Sequence, residues 1–113
     1  MRIFTTLEES NRLKAAGYPQ GKSEFVYTKL VGDTNSYINS PIHKKHSENC
    51  VGIDAPSAAE IMEVIWNMHC YLEIGFDDRI RVTATFDPER EYEVYGTDLL
   101  STLVEAFCKM KGK

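Results

Sequence analysis

From Ser57 onward the apolar positions follow two successive rhythms. Ile61, Val64, Ile65, Met68 and Leu72 recur at the spacing of one helix face, so a helix is expected to follow Ser57. Ser57-Ala58-Ala59-Glu60 supplies its start. A serine hydroxyl, and a glutamate three positions on, can each take a backbone N–H that the first turn leaves unpaired. Tyr71 to Phe76 then alternates, with Leu72, Ile74 and Phe76 on one face. Leu72 fits both rhythms, which ends the helix near His69. Asp77-Asp78 is expected to make a two-residue turn, although without the usual glycine. Ile80, Val82, Ala84 and Phe86 alternate against Arg79, Arg81, Thr83 and Thr85, the cleanest strand pattern in the chain. Asp87 to Arg90 reads as a turn, and Glu91 to Tyr95 as a third strand with Tyr92 and Val94 inward. Thr97-Asp98 then caps a last helix carrying Leu99, Leu100, Leu103, Val104, Phe107 and Met110. Lys109, Lys111 and Lys113 crowd its end, where they complement the helix dipole.

The first half is less regular. Thr6-Leu7-Glu8-Glu9 is another capping box, predicting a helix from Leu7 to about Ala16. Gly17 can adopt the left-handed closing conformation and Pro19 blocks continuation. Ser23 to Leu30, rich in β-branched and aromatic residues, reads as a strand. Gly32-Asp33 and Asn39-Ser40-Pro41 are turn signals, with a short strand expected at Ser36-Tyr37-Ile38 between them. Ile42 to Asp54 is polar and loop-like.

Strands joined by tight turns must be antiparallel, and their apolar face needs a cover that the striped helices can provide. The expected fold is therefore α+β: a two-layer domain with an antiparallel β-meander and helices packed on one face. A chain of 113 residues has room for one core, so residues 1–113 are expected to form a single domain.

Composition narrows the class. Hydrophobic residues make up 42% of the chain, enough for a core. No apolar run approaches the roughly 18 residues that a membrane span needs, and the start turns acidic at once. A cytoplasmic protein with no membrane partner is expected. Residues 1–50 carry seven basic and five acidic side chains, residues 51–113 six basic and twelve acidic. That acidic second half argues against nucleic acid, whose binders cluster Lys and Arg. Cys50, Cys70 and Cys108 are odd in number and widely spaced, so reduced thiols are expected rather than a disulfide framework.

The sharpest chemical candidate is the His43-Lys44-Lys45-His46-Ser47-Glu48-Asn49-Cys50 stretch. His43, His46 and Cys50 offer two imidazoles and a thiolate at spacings that let a loop wrap one zinc ion, with His69 or Cys70 as a further ligand. The plainer reading, a solvated basic loop, is favoured, since no paired C-x2-C ligands occur and two lysines would repel a cation. Cys50 with His46 or His69 could make a nucleophilic pair, but such a pair also needs an orienting group and an oxyanion hole. Asp77, Asp78, Asp87, Glu89, Glu91 and Glu93 read as solvated turns and an exposed strand face. No catalytic residue is assigned. Trp66 lies on the helix flank beside Met62, off the main stripe. It either packs under the preceding loop, the plainer reading, or joins Met62, Tyr71 and Tyr95 in a protein-binding patch, since Trp and Tyr are favoured interface anchors.

The order of features resembles small uncharacterised proteins of gut Bacteroides-type bacteria and their phages. The resemblance runs from the capped helix of Thr5-Thr6-Leu7-Glu8-Glu9-Ser10-Asn11-Arg12-Leu13, through Pro56-Ser57-Ala58-Ala59-Glu60-Ile61 and a meander, to the apolar helix from Leu99 to Met110. The His43–Cys50 loop departs from that pattern. The resemblance implies a mobile-element or accessory protein and transfers no catalytic residue.

The leading functional expectation is a small non-enzymatic interaction protein, with a protein partner or self-association as a homodimer. A zinc-stabilised module on His43, His46 and Cys50 is the alternative, and a small thiol-dependent enzyme comes third.

Overall fold

Both capping boxes form where the sequence places them. In the computed structural model, which describes residues 3–28, 41–43, 52–68, 70–87 and 90–112, helix α1 spans Leu7–Ala15. The Thr6 hydroxyl accepts the Glu9 N–H at 3.1 Å, and the Glu9 carboxylate accepts the Thr6 N–H at 2.9 Å. Gly17 closes the helix at φ +91°. Its N–H donates to Lys14 and the Tyr18 N–H to Leu13, the crossed pair of bonds that satisfies the last carbonyls. Helix α2 (Ala58–Trp66) starts with the Ser57/Glu60 box and stops at Trp66, three residues before the expected end. Helix α3 spans Leu99–Met110, with the Asp98 carboxylate accepting the Ser101 N–H at 3.0 Å.

The meander comprises β4 (Tyr71–Phe76), β5 (Ile80–Asp87) and β6 (Arg90–Gly96) in that order, all antiparallel. Phe76 pairs with Ile80, so the connection holds Asp77, Asp78 and Arg79 and is one residue longer than the expected turn. Asp-Asp lacks the glycine that a two-residue turn uses at positive φ. The Asp77 N–H instead donates to the Arg79 carbonyl at 3.2 Å.

Alternation sorts the sheet into two faces. Val82 and Ala84 are buried in the main core with Leu72, Ile74, Ile80, Phe86 and Val94 packed around them. Leu100, Leu103, Val104 and Phe107 of α3, with Ile61 and Ile65 of α2, complete that core from the helix side. Leu13 of α1 and Tyr18 extend it. Burying each such side chain contributes about 1.5–3 kcal/mol. The other face carries Tyr71, Glu73, Arg81, Glu91, Glu93 and Tyr95 and is largely exposed. Helices therefore cover one face of the meander, as the pattern predicts.

The first half differs from expectation. The stretch from Ile42 to Asp54, read as loop, contains two strands, β2 (Ile42–His43) and β3 (Gly52–Asp54). They flank β1 (Phe25–Thr28) in a second three-stranded antiparallel sheet, ordered β2-β1-β3. Strands of two and three residues are too short to show alternation, so long-range pairing alone defines them. The strand expected at Ser36–Ile38 lies outside the described residues.

Asp54 fastens this sheet to the chain after α1. It is buried, and one carboxylate oxygen accepts the N–H groups of Gly21, Lys22 and Ser23 at 2.8, 3.1 and 3.1 Å. Its own N–H donates to the Gln20 side-chain oxygen at 3.0 Å. Tyr27 adds a buried bond from its hydroxyl to the Thr5 carbonyl at 2.7 Å. Gly96 sits so close to α3 that a Cβ there would lie 2.1 Å from Thr102 Oγ1. Among the described residues no helix is long and apolar enough to cross a membrane.

Candidate functional site

The stripe that docks α2 is narrow. Ile61 and Ile65 are fully buried, while the flank formed by Ala59, Met62, Glu63 and Trp66 leans past the core toward β4. α2 ends at Trp66 and β4 begins at Tyr71, so the strand lies beside the helix it follows. Between them lies an apolar groove of about 600 Å³, lined on the strand side by Cys70, Tyr71, Leu72 and Ile74. Met62, Trp66 and Tyr71, three members of the expected patch, thus share one site.

Its rim is unusually exposed for such side chains. Trp66 is 72% exposed and Tyr71 68%, and beyond the lining Phe76, which continues the Leu72–Ile74 face of β4, is 67% exposed. Large apolar residues left in water beside a groove mark interaction surfaces. The rim is also a strand edge. Among the described residues β4 pairs only with β5, so alternate backbone groups along its other side face outward unpaired. Among the described residues, Glu63 is the only charged one in the groove lining.

Tyr95 stands apart. It lies on β6 at the opposite edge of the meander, where Arg79 stacks over its ring at 4.3 Å and its hydroxyl donates to Glu93. The residues of that edge are more strongly charged, and the Lys109 ammonium donates to the Glu93 carbonyl at 3.2 Å.

On the outer face of the meander, Arg81 crosses over Gly75, its register partner on β4, and reaches Glu73 at 3.1 Å. A Cβ at Gly75 would lie 3.2 Å from Arg81 Nη2 and 3.4 Å from Nε, so the glycine leaves room for the guanidinium. Arg81 Nε is buried without a hydrogen-bond partner. Sequence reasoning put Phe76 inward and gave Gly75 and Arg81 no role. Alternation assigns a face, but it does not say whether a helix reaches far enough to cover it.

The other candidates resolve as follows. His43 lies half-buried on β2, its ring edge-on to Phe25 at 5.1 Å. His46 and Cys50 lie outside the described residues, as does His69. Among the described residues no three His, Cys, Asp or Glu side chains gather around a point that could hold a metal ion. Cys70, in the groove wall, donates from its thiol to the Ile65 carbonyl at 3.2 Å, and burial pushes its pKa up. Burial raises Cys108 likewise. A thiol held protonated is a poor nucleophile.

The chain matches no protein-family model, no curated protein and no solved structure.

Proposed function

We propose that this is a non-enzymatic protein-binding module and that the groove between α2 and β4 is its docking surface. One observation carries the reading: Trp66 and Tyr71, each more than two-thirds exposed, line an apolar groove beside an open strand edge, and Phe76 stands exposed further along the same strand. An edge of this kind supplies backbone hydrogen bonds to an extended segment, while a neighbouring groove takes its alternate side chains. The acidic lining residue Glu63 favours a segment without carboxylates near its apolar anchor. The setting implied by the resemblance, an accessory protein of a mobile element, belongs to the same reading.

Trp66 is the only tryptophan in the chain, so its emission reports directly on the groove. Selection from a displayed library of random peptides, followed by titration of synthetic hits against that emission, tests the reading. Expected hits carry apolar residues at alternate positions and lose at least tenfold affinity on Met62→Lys, consistent with loss of a central anchor. A library that yields no binders, or binders indifferent to Met62→Lys, overturns it.

A further inference from the structure

The two edges of the meander differ in a way that identifies what the groove takes. At β6 the edge strand reads Arg-Glu-Tyr-Glu-Val-Tyr-Gly, and a lysine ammonium already sits on one of its carbonyls. At β4 the strand reads Tyr-Leu-Glu-Ile-Gly-Phe, with one charge in six residues and no cover on its outward side among the described residues. Proteins commonly guard such an edge with charge, proline or a bulge, and β4 has one glutamate and no other guard.

We propose that the occupant is a second copy of this chain, whose β4 pairs antiparallel with β4 of the first across a two-fold axis at Ile74, joining the two meanders into one sheet. This rests on the groove being a docking surface and names its partner. Antiparallel pairing of a strand with its own copy places a residue on the axis, and the side chains select which one. An axis at Glu73 sets the two Glu73 carboxylates face to face. An axis at Gly75 sets Glu73 against Asp77. Like charges directly opposite one another destabilise a sheet. An axis at Leu72 reaches no further along the strand than Ile74 and leaves Gly75 and Phe76 unpaired. With Ile74 on the axis, Leu72 faces Phe76 of the second copy, Tyr71 faces Asp77 and Glu73 faces Gly75, so no like charges meet.

Two features described above find a use in this arrangement. Phe76 of the second copy comes opposite Leu72, a wall of the groove, and can fill it beside Met62 and Trp66. Its exposure in the single chain is then that of a side chain awaiting its pocket. On the outer face, Glu73 of the second copy comes beside Gly75, over which Arg81 lies with its buried Nε unpartnered. A carboxylate arriving there meets a guanidinium whose Nη2 already donates to Glu73 of its own chain and whose Nε has no partner. Charge-assisted bonds to Arg are strong, and the two-fold axis makes this one twice.

Sedimentation equilibrium tests the proposal. The apparent mass is expected to rise from the 12.9 kDa of one chain toward twice that value between about 1 and 100 µM, the range of a small interface, with a blue shift of Trp66 emission over the same range. Glu73→Arg sets two arginines together at each end and is expected to weaken dimerisation at least tenfold. The exchange Glu73→Arg with Arg81→Glu restores opposite charges and is expected to recover most of that loss. Circular dichroism melting of each variant checks that it folds, and Ile74→Cys is expected to cross-link copy to copy under mild oxidation, in contrast to Leu72→Cys, which would face Phe76. A strict monomer at 100 µM, or a dimer indifferent to Glu73→Arg, overturns the proposal. If the monomeric protein still binds selected peptides in a manner sensitive to Met62→Lys, the groove reading stands and only the second copy is excluded. If it binds none, both fail.

Discussion

Removing the Asp54 carboxylate should unfasten the first sheet at a cost that can be worked from its bonds. Asp54→Ala deletes an acceptor for three N–H groups, at 2.8, 3.1 and 3.1 Å. A hydrogen bond to a charged group contributes about 1.5–3 kcal/mol. These three share one oxygen and do not add. Gly21 and Lys22 are exposed, so water can take up their N–H groups, whereas Ser23 is 4% exposed and its donor is stranded. A loss of about 3 kcal/mol follows for alanine. Asp54→Asn keeps the shape and one oxygen but not the charge, and should lose about 1–2 kcal/mol. For a chain of this size the two losses correspond to falls in Tm of roughly 12 °C and 5 °C. Urea denaturation followed by far-ultraviolet circular dichroism measures both, with the slope expected to stay at its wild-type value. Amide exchange at Gly21, Lys22 and Ser23 should accelerate in parallel. If Asp54→Ala costs less than about 1 kcal/mol, the carboxylate is not what holds β3 to this turn, and the distances mislead about the energy.

Gly96→Ala should cost about 2–3 kcal/mol, because its new Cβ meets buried Thr102 Oγ1 at 2.1 Å; in a thermal-melting cycle, adding Thr102→Ala should recover part of that loss, and strict additivity would count against the clash. Ser57→Ala should cost about 1 kcal/mol by removing the hydroxyl cap of α2, measured by the same denaturation. Burial holds Tyr18, Cys70 and Cys108 protonated, so their folded pKa values lie above the unfolded ones. The unfolded chain then loses these protons first, so the contribution of these three groups to stability should be flat below about pH 8 and decline above the thiol value near 8.5 and the tyrosine value near 10. A urea midpoint that rises between pH 8 and 10 would contradict that sign. The same burial predicts that a thiol reagent at pH 8 labels Cys70 and Cys108 only at the rate of unfolding, read by mass spectrometry against a urea-denatured control.

How much of this was legible in the residues depends on range. Both capping boxes, the Gly17 closure and the β4–β5–β6 alternation involve partners close in sequence, and each formed as its pattern implies. The Ile42–His43 and Gly52–Asp54 strands are defined by partners on β1 between about 16 and 28 positions away, and no period of two can show in so few residues. The site divides along the same line. Trp66 off the helix stripe was a visible anomaly, and Met62 and Tyr71 came with it because both flank the same turn of chain. Tyr95 shares only their chemistry; the order β4-β5-β6 carries it to the far edge. Phe76 looked like core because alternation places it on the inner face. That it lies beyond the helix cover is a matter of where α2 sits against β4, which only the assembled fold decides.

The Lys109 ammonium on the Glu93 carbonyl has a consequence for the size of anything this protein builds. A sheet with two open ends can add copies at both, and its growth has no natural stop. Here a side chain of the same molecule covers a carbonyl of the β6 strand, so the pairing proposed at β4 joins the meander at its unguarded end. The proposed pairing would then give a finite, closed product. Without that ammonium the same edge-to-edge geometry would be free to run on as an open ribbon, the usual beginning of fibrous aggregation.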